Sequence, residues 1–346
     1  MRILLLAPWF STLARLWSVE FEDAGHQVLL ITKPTHFESQ EPLPNEVVLQ
    51  ERPASAAGLP EFLRVRRIVR DFDPDVILTE STRDYRLLAL ARGRPMVLTV
   101  HDARPHDATH VDPLRARALR NWQRSHAGSI ATFSESVASL LSESGATRVR
   151  VVPLMSEMPD ALRPATVPAQ ERRDFLLVGR LRPYKNLEVV LAGWRKFQRE
   201  SPQSTDRLVV MGHGEVDEPM PANVIHIDGS YAFADAAPRL AAAKGSVCLY
   251  RNGSQSGAQL WSMQVGTAVI ASRAGGLPEY QLPDLPVLGP DDVAGLHHQF
   301  RLLSDPEVAA RLGERSSRYY QQHFSAQASA AALTDVLVEE ARRWRQ

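Results

Sequence analysis

The chain has 346 residues, of which 44% are hydrophobic and 23% charged, with 40 basic and 40 acidic side chains in balance. That length suits two domains of ordinary size or one large α/β barrel, and the composition excludes wholesale disorder, a fibrous repeat and a disulfide mini-protein. The charge balances again on either side of residue 163, 20 against 20 in each part, so neither half has the basic excess of a nucleic-acid binder and no nucleic-acid partner is expected.

The start, Met1-Arg2 and then four apolar residues, is too short for the apolar region of a secretory leader and reads as a first strand. A cytoplasmic protein is therefore expected. Apolar runs bounded by turn residues follow at 28–32, 47–49, 76–79, 97–100, 130–133 and 149–152, with helix-length segments between them. This alternation predicts parallel βα units rather than a meander or a bundle. Between Met155 and Asp174 the prolines Pro159, Pro164 and Pro168 punctuate a polar stretch that reads as an interdomain connection. A second series then begins, with strands at 175–179, 208–211, 224–227, 247–250 and 268–271 and helices starting near Asn186, Ala232, Gly257 and Asp291. From Pro306 onward the pattern is that of two further helices. The predicted class is α/β, with one doubly wound domain over 1–165, a second over 166–325, and a last helix over 326–346 that is a candidate to pack back on the first domain. The single cysteine, Cys248, lies inside an apolar strand run and reads as a buried core thiol.

In open α/β sheets ligands bind beyond the carboxyl ends of the strands, so the residues just after each strand carry the functional argument. The most informative stretch is Phe175-Leu176-Leu177-Val178-Gly179-Arg180-Leu181-Arg182-Pro183-Tyr184-Lys185-Asn186-Leu187. A buried strand ends in a glycine, an arginine leaves at its end, and a lysine stands before a helix with Asn186 as its predicted N-cap. Two cations and free helix amides converging on one spot suit a diphosphate. Lysine is scarce here, four residues against 36 arginines, which sharpens the signal at Lys185.

The segment VGRLRPYKN resembles the donor-phosphate motif of retaining glycosyltransferases with the GT-B fold, the large family 4 or group 1 type. The resemblance continues through Gln255-Ser256-Gly257, Gly266-Thr267, Gly275-Gly276-Leu277-Pro278-Glu279 and Gly289-Pro290-Asp291-Asp292-Val293, and reaches back to Thr99-Val100-His101-Asp102. It implies two Rossmann-like domains facing across a cleft, the first on the acceptor side and the second binding the donor. It further implies that Gly179, Arg180 and Lys185 hold a nucleotide diphosphate, that Gln255, Ser256 and Gly257 approach its phosphates, and that His101 faces the donor sugar, with His101, Arg180 and Lys185 as the catalytic group. A nucleotide-diphosphate sugar is then co-substrate, no cofactor or metal is needed, and the acceptor is a hydroxyl of a glycan, a lipid-linked or a small-molecule substrate.

The chain departs from the family pattern in two places. The paired glutamates usual eight residues apart fall here on Trp261 and on Gly253 or Ser254, which leaves Glu279 as the candidate for the nucleotide ribose. The glycine-rich loop after the first strand is replaced by Pro8-Trp9-Phe10-Ser11-Thr12. A catalytically degenerate GT-B protein acting as a nucleotide-binding or scaffolding partner is the first alternative, and a nucleotide-sugar epimerase of similar architecture the second. Three further signals have ordinary readings beside functional ones. Asp71-Phe72-Asp73 mimics a metal-binding Asp-x-Asp but precedes a strand, as a polar turn does. Arg64, Arg66, Arg67 and Arg70, and Arg115, Arg117, Arg120 and Arg124, form helical faces that suit either solvent or an anionic membrane at its inner face. His101, His106 and His110 stand near Asp102, Asp107 and Asp112 with a loose metal-site spacing.

Overall fold

The computed structural model describes the chain apart from residues 35–40, 54, 104–112, 215, 217 and 218, and of Arg115 the backbone alone. It divides into two compact units, Met1–Leu154 with Ala326–Gln346, and Met155–Ser325.

The first unit runs β1 (Arg2–Ala7), α1 (Ser11–Asp23), β2 (Gln27–Thr32), β3 (Glu46–Val48), α2 (Gly58–Phe72), β4 (Val76–Glu80), α3 (Tyr85–Ala91), β5 (Met96–Val100), α4 (Leu114–His126), β6 (Ser129–Thr132), α5 (Glu135–Glu143) and β7 (Val149–Val151). Among the described residues its strands form one parallel sheet in the order β3-β2-β1-β4-β5-β6-β7. Helices cover both faces of such a sheet, which is why its strands are runs such as Ile3-Leu4-Leu5-Leu6, all buried, rather than alternating ones. The chain's last helix, α11 (Ala326–Trp344), also belongs to this unit. It is pinned there by the Trp17 indole, which donates to Ser329 Oγ at 3.0 Å, and by buried Glu340, which accepts from Ser129 Oγ at 2.9 Å. Asp71-Phe72-Asp73 is the helix-to-strand turn: Asp73 ends α2 in the left-handed region and is paired with Arg2 and Arg94 at 2.9 and 3.1 Å. Residues 104–112, with His106, His110, Asp107 and Asp112, lie outside the described residues.

The second unit contains β8 (Phe175–Val178), α6 (Leu187–Glu200), β9 (Leu208–Met211), β10 (Val224–Ile227), α7 (Phe233–Ala241), β11 (Gly245–Cys248), α8 (Gly257–Gln264), β12 (Val269–Ser272), β13 (Val287–Leu288), α9 (Val293–Ser304) and α10 (Pro306–His323). Its parallel sheet has the order β10-β9-β8-β11-β12-β13. On one face Phe175, Trp194, Phe197 and Phe300 pack as edge-on and tilted rings with centroids 4.9–6.3 Å apart. Each such pair adds about 0.5–1.5 kcal/mol to the apolar area that it buries.

Two expectations need correction. The units divide after Leu154, not after residue 165: Met158 is buried in the second unit's core with Leu176 and Trp261, Gln264 Nε2 donates to Met158 O at 3.0 Å, and Arg163 donates to Ser317 Oγ at 3.2 Å. The strand expected at 247–250 ends at Cys248, which frees Tyr250 from the ladder. The sheet orders also locate the places where strand sequence reverses. They lie between β1 and β4 in the first unit and between β8 and β11 in the second, where doubly wound sheets open a crevice at their carboxyl edge. No described helix is long and apolar enough to cross a membrane.

Candidate active site

At the reversal between β8 and β11 the chain leaves β8 through Gly179, whose φ of +115° lies in the region that favours glycine. Its amide donates to Met211 O and that of Leu181 to His213 O, both at 2.9 Å, so the loop is clamped beside the end of β9. A 3-10 turn over Pro183–Lys185 then directs the Lys185 side chain back under the loop. Its Nζ donates to Val178 O at 2.9 Å and to the Tyr250 hydroxyl at 2.6 Å. A Cβ at position 179 would stand 2.8 Å from that Nζ, so any side chain there would displace the ammonium.

Tyr250 extends the chain of bonds. Its hydroxyl lies 3.0 Å from Ser256 Oγ, and Ser256 Oγ accepts from Gln259 N at 3.2 Å as the N-cap of α8. Lys185, the cap of α8 and the end of β8 thus form one buried polar unit. Lys185 is 4% exposed, and burial lowers its pKa to about 8, with the nearby Cys248 thiol opposing that shift. Two of its three N–H groups are committed, which leaves one for a ligand. Burial pushes the Cys248 thiol up, as befits the core residue that the sequence suggested.

Arg180 is exposed, and no described side chain pairs with it. Gly257, the first residue of α8, is exposed as well, and a Cβ there would meet nothing within 4 Å. Within this first helical turn the Gln259 amide is taken by Ser256 Oγ, whereas those of Gly257 and Ala258 precede the first bonds within the helix. The neighbouring Gly275 has a φ of +48°, and a Cβ on it would stand 1.6 Å from Gly253 O, so the loop before α8 and the Gly-Gly-Leu-Pro-Glu turn approach as only glycine allows. Gly276 N donates to Ser254 O at 3.1 Å and Gln259 Nε2 to Leu277 O at 3.1 Å, which fastens the turn to α8. Glu279 stands exposed on that turn. Gln255 is half-buried in the loop ahead of Ser256.

Asn186 departs from its expected role. It precedes α6 in the left-handed region, at φ 60°, and its side chain caps nothing; Nδ2 donates instead to Pro290 O at 2.5 Å. That bond joins the start of α6 to the loop before α9, where Asp292 is the cap and accepts from Gly295 N at 2.7 Å. Trp261, at the place of a family glutamate, is 5% exposed in the core and packs edge-on to Phe233 with centroids 5.0 Å apart. The position has become part of the apolar packing of α8.

His101 belongs to the first unit, just after β5. Its ring stacks on Phe10 with centroids 4.0 Å apart and tilts against Phe133 at 4.6 Å. Burial of the ring lowers its pKa to about 4 against the opposing pull of Asp102, so at neutral pH it is an uncharged imidazole. The second unit brings Gly179, Lys185 and Ser256 together, while Arg180, Gln255, Gly257 and Glu279 stand on the connections around them. Two participants were missed. Tyr250 was visible only as the end of an apolar run, although a buried tyrosine hydroxyl demands a partner. Glu80 was visible only as the last residue of a strand, yet its carboxylate accepts from the amides of Trp9 at 2.9 Å and Phe10 at 3.2 Å.

Residues 11–155 match the family described as Glycosyl transferase 4-like domain, and residues 172–303 match Glycosyl transferases group 1. Over 332 residues the chain is 28% identical to the MMP alpha-(1->4)-mannosyltransferase of Mycolicibacterium hassiacum, covering 82% of this chain and 76% of that protein. Among solved structures, sucrose-phosphate synthase from Thermosynechococcus elongatus aligns with a TM-score of 0.74 at 18% identity, over 98% of this chain and 99% of the other. Anabaena HepE, solved with UDP and glucose, aligns with a TM-score of 0.68 at 15% identity, over 98% and 100%. With two parallel α/β units in the strand orders described, the chain belongs to the group 1 glycosyltransferases of the family 4 type and the GT-B fold, and is a nucleotide-sugar-dependent glycosyltransferase.

Proposed function

We propose that the enzyme transfers a sugar from a nucleotide-diphosphate sugar to a hydroxyl of a glycan, lipid-linked or small-molecule acceptor, with retention at the anomeric carbon and without a metal ion. The observation that carries this reading is the buried Lys185 ammonium, fixed by Val178 O and Tyr250 with one N–H uncommitted, on the same strand-to-helix connection as the exposed Arg180. As the glycosidic bond breaks, negative charge grows on the departing diphosphate. Donors already held in place stabilise that charge more than they stabilise the ground state. Two cations and the first turn of α8 supply what a divalent ion would otherwise supply. Gln255, Ser256 and Gly257 then approach the phosphates, Glu279 takes the ribose, and the neutral imidazole of His101 serves the donor sugar. The mannosyltransferase relative and the UDP bound to HepE support a nucleotide-sugar donor.

A lipid-linked acceptor draws support from α2, where Leu59 and Leu63 are 62% and 53% exposed among Arg64, Arg66, Arg67 and Arg70. Such a face suits peripheral contact with an anionic membrane surface. The test of the donor site is thermal denaturation of wild type, Arg180→Ala and Lys185→Ala with UDP, GDP, ADP and dTDP at about 1 mM. Saturation near 100 times the dissociation constant adds about 2.7 kcal/mol, and one nucleotide is expected to stabilise wild type while both variants lose the effect. The second reading, a degenerate partner, is favoured by Trp261 where the family has an acidic residue; it predicts nucleotide binding with no transfer from any of a panel of sugar donors.

A further inference from the structure

Tyr250 stands two residues past the end of β11, yet its backbone is held. The buried Ser272 hydroxyl, at the end of β12, accepts from Tyr250 N at 2.9 Å and donates to Tyr250 O at 2.8 Å, in place of the ladder that stopped at Cys248. The ring packs edge-on to Tyr184 with centroids 5.5 Å apart, and the Lys185 ammonium lies 4.4 Å from its centre. A phenylalanine would fill that space and face the cation equally well. What the tyrosine adds is a hydroxyl.

The hydrogen bonds of that hydroxyl have a definite direction. An ammonium has no lone pair, so Lys185 Nζ donates to the Tyr250 oxygen at 2.6 Å. Burial pushes the Tyr250 hydroxyl well above its ordinary value, so it keeps its proton at neutral pH and donates it to Ser256 Oγ at 3.0 Å. Ser256 Oγ accepts from Gln259 N as well, so its own proton is directed to Cys248 Sγ, 3.9 Å away. Donor follows acceptor without a gap from Lys185 through Tyr250 and Ser256 to Cys248, a thiol that burial also keeps protonated.

The charge at the head of this chain has no counter-ion. Among the described residues no carboxylate pairs with Lys185; Glu188 on α6 and Asp291 ahead of α9 pair with Arg251 instead. Two neutral acceptors, Val178 O and the Tyr250 hydroxyl, therefore hold a buried ammonium. With one acceptor an ammonium turns freely about its Cε–Nζ bond. With two, the tetrahedral nitrogen has a single direction left for its third N–H.

We infer that Tyr250 is a positioning residue for Lys185: its hydroxyl is the second acceptor that fixes the direction of the remaining N–H, and it ties the ammonium to the cap of α8. Its part in transfer rests on the function proposed above, in which that N–H meets the departing diphosphate. Tyr250 acts through the lysine and the cap rather than on the substrate.

A purely structural tyrosine would leave the proton affinity of Lys185 unchanged, whereas an acceptor bonded to the charged form raises it. The chain has four lysines, so NMR of the full chain carrying lysine isotope-labelled at Cε gives few enough signals to follow one by one, with Lys185→Gln identifying the one that titrates near pH 8. Tyr250→Phe should lower that midpoint by about one pH unit or more and leave Lys33, Lys196 and Lys244 in place. Ser256→Ala, which keeps the hydroxyl but removes its acceptor, should move the midpoint the same way by less. In the same Phe variant, affinity for whichever of UDP, GDP, ADP and dTDP stabilises wild type should fall about ten-fold at neutral pH. An unmoved Lys185 midpoint in both variants, or nucleotide affinity in Tyr250→Phe equal to that of wild type, overturns the proposal. The parent reading is tested apart from it. A midpoint that moves while no nucleotide stabilises wild type would sink the donor site and leave Tyr250 as the group that holds the ammonium. A midpoint that stays while Lys185→Ala loses nucleotide binding would sink the positioning role alone.

Discussion

The two strand reversals share a topology and differ in charge. Between β8 and β11 the polar groups are a buried ammonium, an exposed guanidinium and a helix start that opens to solvent. Between β1 and β4 the Glu80 carboxylate takes the amides of Trp9 and Phe10 just ahead of α1, and the side chains of those two residues are exposed. Parallel sheets of this kind offer a crevice in both places, so fold does not decide what binds. On the function proposed above the side chain placed there decides it: a cation with an uncommitted N–H suits an anion, and a carboxylate already bound to backbone amides opposes one.

The largest effect should come from removing the cation that distinguishes the second unit. Lys185→Ala is expected to lower the rate of sugar transfer by about 10²–10³-fold, the loss usual for one preorganised donor, when initial rates are compared at saturating donor. Unchanged turnover would abolish the contrast between the two sites.

Next in size is the converse change. Glu80→Ala leaves the amides of Trp9 and Phe10 without their acceptor and should cost about 1–3 kcal/mol of stability, read as a lower urea midpoint. The same variant should gain stability from millimolar inorganic phosphate where wild type gains none, because the amides of Trp9 and Phe10 then lack their acceptor. Failure of phosphate to discriminate between them would show that Glu80 is not what closes the site.

The contrast also has a pH signature. Lys185 titrates near pH 8, so diphosphate affinity should fall as pH rises through about 8, and Lys185→Gln should remove that dependence while Arg180→Ala keeps it; calorimetric titration between pH 6.5 and 9.5 checks both. Stability has the opposite sign. Above about pH 8 the folded state has lost a proton that an unfolded lysine still holds, so this group makes stability rise with pH until the unfolded lysine also titrates near 10.5. His101, lowered to about 4, gives a matching rise between about pH 4 and 6.5 that belongs to the first unit, and His101→Phe should flatten it in urea titrations.

The smallest structural effect tests the open helix start. Gly257→Ala places a methyl where nothing lies within 4 Å and should change stability by no more than about 0.5 kcal/mol. Nucleotide affinity should nevertheless fall several-fold if the phosphates lie where the proposed function puts them, because the methyl enters that space. Normal affinity would move the phosphates away from α8.

Much of this was legible in the chain itself. Apolar runs at β1, β4 and β8 could only be buried parallel strands, because nothing in them alternates. Arg180 and Lys185 stood out because both follow a strand end and one is a rare residue in this composition. The division after Leu154 was not legible, since the prolines at 159, 164 and 168 mark irregular chain without saying which core it lies on; Met158 settles that by packing beside Trp261. Asn186 was misread as a side-chain cap, because the backbone turns left-handed there and sends the amide to Pro290 O.

By itself the sequence determined the class of fold, the two βα series and the residue types gathered after each strand, since periodicity and turn chemistry act over a few neighbours. Only the tertiary structure decided which groups meet across long separations. Tyr250 reaches Lys185 over 65 positions and Glu80 reaches Trp9 over 71, and neither pairing has a local signal. A buried hydroxyl, ammonium or carboxylate must find a partner, but which one it finds depends on the strand order that brings their ends together.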